Sequence, residues 1–179
     1  MRLPGAWWLL APVTGTAFAV ITVINASIYA ETGVRTPDLR PAPSPAAWAA
    51  CWEGLGLDGL RLFRWALLVD LAAFIPSYPP TLLLAGLQWW ASRAGEHSLL
   101  AVPARHWLVA AAAAAALAAG FLADMLEDVL LLRQLNMLPT VDADLASPAA
   151  HATRTKFSGL ALYMLIVAGF GLVGLRRRK

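Results

Sequence analysis

The sequence predicts an all-α, polytopic membrane protein, a bundle of four transmembrane helices, on three observations. The 179-residue chain is 59% hydrophobic with a mean hydropathy of +0.62, beyond the apolar content of a soluble domain. Four apolar stretches, about 6–30, 65–90, 106–132 and 157–175, each reach or approach the roughly 20 residues a helix needs to cross a bilayer. Backbone polar groups in hydrocarbon must be satisfied within their own segment, so such runs are helices.

The first stretch follows Arg2 and ends near "NASIYA", which faintly suggests a signal peptide. Its apolar core is longer than the roughly 7–15 residues of a signal h-region, so it reads as a retained helix. Residues 31–64 read as an extracytoplasmic Pro-rich loop. "TPDLRPAPSPAAW" has four prolines within nine residues, which favours extended chain. "PAAWAACWEGLGL" follows, with Trp48 and Trp52 one helical turn apart. It reads as a short interfacial helix resting its tryptophans at headgroup level, or as a lid over a site.

In the second stretch Asp70, Ser77, Thr81 and Gln88 share a face, and "FIPSYPP" interrupts the pattern. Pro76, Pro79 and Pro80 remove backbone donors and are expected to kink the helix. The hydroxyls of Ser77 and Thr81 can serve the freed carbonyls locally, as a wet cavity also could.

The third stretch ends in "GFLADMLEDVLLLR". At roughly 100° per residue, Gly120, Asp124, Glu127 and Asp128 fall within an arc of about 100°. Upstream, Ala110 to Ala116 are all alanine, a strong helix former that lets helices approach closely in lipid. This helix is therefore expected at the centre of the bundle, its acids facing protein. The segment "NMLPTVDADLASPAAHAT" reads as a loop too short to fold alone, and the fourth stretch carries glycines 169, 171 and 174 that could help helices pack.

Four crossings divide the lysines and arginines evenly. Arg2, Arg93, Arg105 and the terminal "RRRK" lie on one side; Arg35, Arg40, Arg61, Arg64, Arg133, Arg154 and Lys156 lie on the other. The first set is denser, which places both termini in the cytoplasm of a plasma membrane. Trp7, Trp8, Trp89, Trp90 and Trp107 mark one face as an aromatic belt would, and Trp65 marks the other. The "RRRK" reads as an orientation anchor that could also meet anionic lipid.

Alternation of crossings brings Asn25, Tyr29, Arg64, Asp70, the acids 124–128, Arg133 and Lys156 to one membrane face, whichever way the chain inserts. Tyr163 lies seven residues after Lys156 and could extend that cluster inward. A bare charge at the helix centre costs about 2.5–3.5 kcal/mol on insertion scales. The acids outnumber the cations Arg64, Arg133 and Lys156, so one carboxyl keeps its proton or a cation completes the count. The candidate site is therefore Asp70, Asp124, Glu127, Asp128 and Lys156, with Arg64, Asn25, Tyr78 and Tyr163 beside it. The first-loop acids Glu31, Asp38 and Asp58 stand outside it.

At these residues "VDLAAFIPSY", "LADMLEDVLLL" and "TKFSGL" resemble a family of small, uncharacterised bacterial membrane proteins with four helices. Its pattern is an Asp followed by an aromatic-rich Pro and Tyr on the second helix, Asp-x-x-Glu-Asn on the third, and a Lys opening the fourth. The resemblance implies roles for Asp70, Pro76, Tyr78, Asp124, Glu127 and Lys156. Asp128 stands where the pattern has Asn. The resemblance brings no activity with it.

Other chemistries find little support. Cys51 is alone, so neither an internal disulfide nor a multi-cysteine metal site forms. His97, His106 and His151 have no metal-ligand spacing, and no G-x-S-x-G motif is present. A net charge of +3 without a basic stripe gives no reason to expect nucleic acid. Three readings remain. In the primary one the charges form an internal network in an accessory or structural subunit, embedded in the lipid bilayer as a homo-oligomer or with a membrane protein partner. In the second, Asp70, Asp124, Glu127 and Asp128 could hold Mg2+ or another divalent cation in an enzyme acting on a lipid or lipid-linked phosphate. In the third, the chain is a subunit of a proton- or ion-coupled transporter.

Overall fold

The computed structural model describes residues 7–39, 44–94 and 107–176. Among them there are helices and no strand: α1 (Trp7–Thr32), α2 (Pro45–Val69), a π turn (Asp70–Phe74), α3 (Ile75–Ala94), α4 (Trp107–Met137), a 3-10 turn (Ala143–Leu145) and α5 (Ala146–Arg176). Among the described residues three segments are long and apolar enough to cross a membrane: Trp8–Thr32, Pro45–Trp90 and Trp107–Met137. Large apolar side chains such as Trp8, Leu9, Leu108 and Leu122 are exposed on their outer faces. The side chains of Arg2, Trp7, Arg40, Arg93, His97, Arg105, His106 and Arg176 to Lys179, and the packing of Gly171 and Gly174, lie outside the described residues.

α1 ends where Gly33 takes a left-handed backbone (φ 70°) and its N–H reaches the Tyr29 carbonyl at 2.9 Å, a common helix stop. α2 starts much earlier than a loop over 31–64 would allow. Ser44 caps it by accepting from the Ala47 N–H at 3.2 Å, and Pro45 takes the first helical position, where its missing donor costs nothing. Gly56 breaks the helical path inside α2 with φ 63° and ψ 177°. The short helix expected before the second crossing thus exists, but it feeds directly into that crossing. Its tryptophans also differ from expectation. Trp48 and Trp52 are 1% exposed and pack with Ile28, Leu55, Phe63, Leu131 and Leu135. They are core residues, not headgroup anchors, because the turn at Gly56 folds the short helix back over α1 and α4.

The second apolar segment stays helical through its prolines, from Ile75 to Ala94. Immediately before them the chain widens into the π turn, where the Ile75 N–H bonds to the Asp70 carbonyl five residues back. That wider turn makes room for rings that would clash with an α-helical backbone. The hydroxyls bond other carbonyls than those the prolines free: Ser77 Oγ lies 2.6 Å from the Ala73 carbonyl and Thr81 Oγ1 lies 2.7 Å from the Ser77 carbonyl, whereas in α-helical register Pro76, Pro79 and Pro80 leave the carbonyls of Ala72, Ile75 and Pro76 without a donor. Thr14 of α1 joins them, 2.9 Å from Ser77 Oγ and 3.1 Å from Thr81 Oγ1, which ties α1 to α3. Gln88, expected on the same face, is exposed.

α4 and α5 pack most closely. A Cβ on Gly159 would stand 2.7 Å from the Ala116 carbonyl and 2.8 Å from the Gly120 nitrogen, closer than real Cβ atoms approach. A Cβ on Gly120 would meet the Lys156 carbonyl at 3.3 Å. The small residues of α4 thus do admit a neighbouring backbone, although the decisive partner is Gly159; Gly169 faces open space. The segment after α4 is mostly helical too. Gln134, fully buried, donates to the Thr140 carbonyl and accepts from the Asp142 N–H, both at 2.9 Å. Asp142 caps the 3-10 turn, and α5 begins at Ala146, not near 157. Lys156 therefore sits well inside α5 instead of opening it.

Two apolar clusters result. One gathers Ile28, Trp52, Phe63, Leu131 and Leu135. The other gathers Ile75, Trp90, Ala113, Leu117 and Tyr163. Along α2–α3 and along α4, the acids lie between them.

Candidate functional site

Asp70 stands at the start of the π turn, and Asp124, Glu127 and Asp128 occupy the inward face of α4. The close fit of Gly159 on Gly120 brings the next turn of α5 against that face and delivers Lys156. Its Nζ lies 2.6 Å from Asp124 Oδ1 and 3.1 Å from Glu127 Oε2. Both contacts are ion pairs, and the Glu127 contact is also a hydrogen bond. Thr153, one turn before Lys156, donates from Oγ1 to Glu127 Oε1. Glu127 is thereby held on both oxygens.

Asp70, Asp124 and Asp128 are placed differently. One carboxylate oxygen from each lies within 4.8 Å of the other two. Asp70 is 8% exposed, and Asp124 and Asp128 are fully buried. Asp70 Oδ1, Asp124 Oδ2 and both oxygens of Asp128 have no hydrogen-bond partner. Tyr78, 2% exposed, faces Asp124 with its hydroxyl but completes no hydrogen bond. Buried polar groups are normally paired, and each unpaired one in a folded protein needs an explanation. Four carboxylates crowd a space that a single ammonium shares with two of them.

The other expected members separate. Arg64 and Arg133 are exposed and form no ion pair with the cluster, so the two cations invoked to offset the acids do not reach them. Tyr163 is buried in the second apolar cluster and donates its hydroxyl to the Leu82 carbonyl on α3; it does not extend the acidic cluster. Asn25 is buried and accepts from Thr36 Oγ1 at 3.4 Å, which fastens the residues after α1 to the helix itself.

Sequence reasoning missed two contributors. Thr153 lies in the segment whose sequence reads as a loop. Asp38 has the sequence context of an ordinary first-loop acid, yet it is 8% exposed, with Oδ1 unpaired, and lies within electrostatic reach of Lys156, Asp70 and Glu127. Burial pushes its carboxyl above the usual range, against the opposing pull of the Thr36 hydroxyl and the Lys156 charge. Glu31 and Asp58 are exposed as expected, Asp58 pairing with Arg61 at 3.3 Å.

No protein-family model matches the chain, and comparison with curated proteins and with solved structures finds no match.

Proposed function

We propose that this is a multi-pass plasma-membrane protein in which α5 makes the fourth crossing and both termini face the cytoplasm, and that it works as a subunit of a cation-coupled transporter. The observation that carries this reading is the imbalance inside the bundle: Asp70, Asp124, Glu127 and Asp128 are buried together, and Lys156 is the one cation among the described residues that pairs with them. An internal ion-pair network would need Arg64 and Arg133, which are exposed. The deficit must be met from outside the chain, by protons or by a metal ion. Ionisable groups in membrane helices mark ion pathways, and π turns such as Asp70–Phe74 are frequent at functional sites.

Burial argues against the lipid-enzyme reading. Asp124, Glu127 and Asp128 are at most 1% exposed, which leaves an ion room to enter on small movements but gives a lipid headgroup no approach. Four helices are too few to enclose an aqueous path of their own, so the working form in this reading is a homo-oligomer.

The test is flux through vesicles. The protein is reconstituted into liposomes loaded with a pH-sensitive or a Ca2+-sensitive dye, and a gradient of the matching ion is imposed. The expected result is faster collapse of one of these gradients than in empty vesicles, abolished by Asp128→Asn. Collapse no faster than in empty vesicles for both ions overturns the reading.

A further inference from the structure

We infer that Asp70, Asp124 and Asp128 form a binding site for one divalent cation, of Ca2+ size in preference to Mg2+. This deepens the cation-coupled reading and rests on it for the ion's role, although not for its binding.

The argument begins with what each carboxylate already does. Glu127 is committed, held by Thr153 and Lys156. Asp70 and Asp128 are not, and Asp124 gives Lys156 only one of its two oxygens: the three aspartates come from two separate helical segments, converge on one point, and leave buried oxygens without a hydrogen-bond partner. A carboxylate oxygen that accepts nothing in such a place carries an uncompensated desolvation penalty, and two such groups facing one another repel. A divalent ion removes both costs at once, because it is the ligand that three convergent carboxylate oxygens match in hardness and in charge. Lys156 cannot substitute for it. Its ammonium is on the Glu127 side of Asp124 and pairs with neither Asp70 nor Asp128.

Tyr78 supplies a separate indication. Its hydroxyl is buried, unpaired, and aimed at Asp124 from α3, a helix that contributes no acid to the triad. A hydroxyl in that position can donate to a metal-held carboxylate and fix its orientation, as outer-shell partners of metal ligands do.

The chemistry of the ligands favours the larger ion. Mg2+ demands near-ideal octahedral geometry and dehydrates reluctantly, whereas Ca2+ accepts irregular carboxylate sets at longer distances. The three oxygens lie within 4.8 Å of one another, close enough to share one ion, and a buried set drawn from two helical segments suits the ion that tolerates irregular geometry. Three carboxylates supply fewer ligands than the 6–8 oxygens Ca2+ takes unless they bind in bidentate fashion, so water completes the shell in any monodentate arrangement.

The experiment uses the full chain in detergent, stripped with a chelator and dialysed against Ca2+ or Mg2+. The expected result is one Ca2+ bound per chain, weaker binding of Mg2+, and a saturable rise in melting temperature with Ca2+. Asp128→Asn and Asp70→Asn are each expected to weaken Ca2+ binding by about tenfold or more, while Glu31→Gln and Asp58→Asn leave it unchanged. In chelator, Asp128→Asn is expected to melt higher than the wild type, since it removes an unpaired charge; a loss of binding in that variant is then not a loss of folding. If Asp128→Asn does not fold, Asp70→Asn carries the same comparison. Failure of the wild type to bind either ion, or binding that both aspartate variants retain, overturns the site. Proton flux that depends on Asp128 without metal binding overturns the site and leaves the transport reading standing. Metal binding without flux of any ion supports the site and overturns transport.

Discussion

Lys156→Met isolates the contribution of the one ammonium in the cluster. Its side chain is 12% exposed and the carboxylates it faces are 1% exposed, at 2.6 Å from Asp124 and 3.1 Å from Glu127. At an effective dielectric of about 20, attractions at those distances are worth about 6 and 5 kcal/mol before desolvation is counted. Most of this is offset by the cost of taking the ions out of water. Removing one partner of a buried pair leaves that cost uncompensated, which typically destabilises by about 3–5 kcal/mol. Methionine keeps most of the apolar volume, so cavity formation adds little. For a chain of this size about 1 kcal/mol shifts the melting temperature by about 2–4 °C, so the expected drop is about 6–20 °C. The assay is thermal unfolding in detergent with chelator present, at neutral pH and again in acid. The deficit shrinks in acid, where protonated carboxyls no longer need a cation. The double variant Lys156→Met/Glu127→Gln recovers part of the loss, a non-additivity expected of groups in contact. A Lys156→Met protein that melts within about 2 °C of the wild type at neutral pH refutes the reasoning.

Three further outcomes are expected. Gly159→Ala forces α4 and α5 apart, since its Cβ would stand 2.7–2.9 Å from the Ala116 and Gly120 backbone, and costs about 1–3 kcal/mol by melting; Gly15→Ala, with nothing within 4 Å, raises stability by up to about 1 kcal/mol. Asp38, held above the usual carboxylate range by burial, contributes stability in acid that is lost as pH rises from about 4 through its raised value. Asp38→Asn removes that slope and melts higher than the wild type at neutral pH, which parallel melts across pH 4 to 8 will read. Trp52→Ala empties a site where the ring packs 5.3 Å from Trp48 and 5.9 Å from Phe63, at a cost of about 3–5 kcal/mol in denaturant unfolding; Trp65→Ala, 63% exposed, costs far less.

How far these features could be read in advance differs residue by residue. Asp124, Glu127 and Asp128 were legible because a regular α-helix fixes their relative direction, and no tertiary fact can change it. Arg133 could have been excluded the same way, since five residues past Asp128 it points roughly 140° away. Thr153 was hidden by the late start assigned to α5, although it lies three residues before Lys156. Pro148 lies in the segment that reads as a loop, yet it falls in the first turn of α5, where a proline gives up no bond. Asp38 left no trace in the sequence: its burial depends on Gly33 ending α1 and on Thr36 meeting Asn25, contacts that no periodicity encodes. The prolines misled for a different reason. They announced an irregularity in the second crossing, but the backbone relieved it a few residues upstream, at Asp70–Phe74.

That relief has a consequence for how the gene can vary. A π turn is an α-helix with one residue too many, so the second crossing carries an insertion in its middle that cannot be excised quietly. Losing a single codon between Asp70 and Phe74 would wind the turn back to α-helical, rotating everything on one side by about 100° relative to the other. Asp70 would leave the aspartate triad while every residue of it remained in the sequence. Descendants of this chain that keep the carboxylates are therefore bound to keep the count between Asp70 and Pro76. A one-codon gap in that interval would mark a lineage that has given up the site.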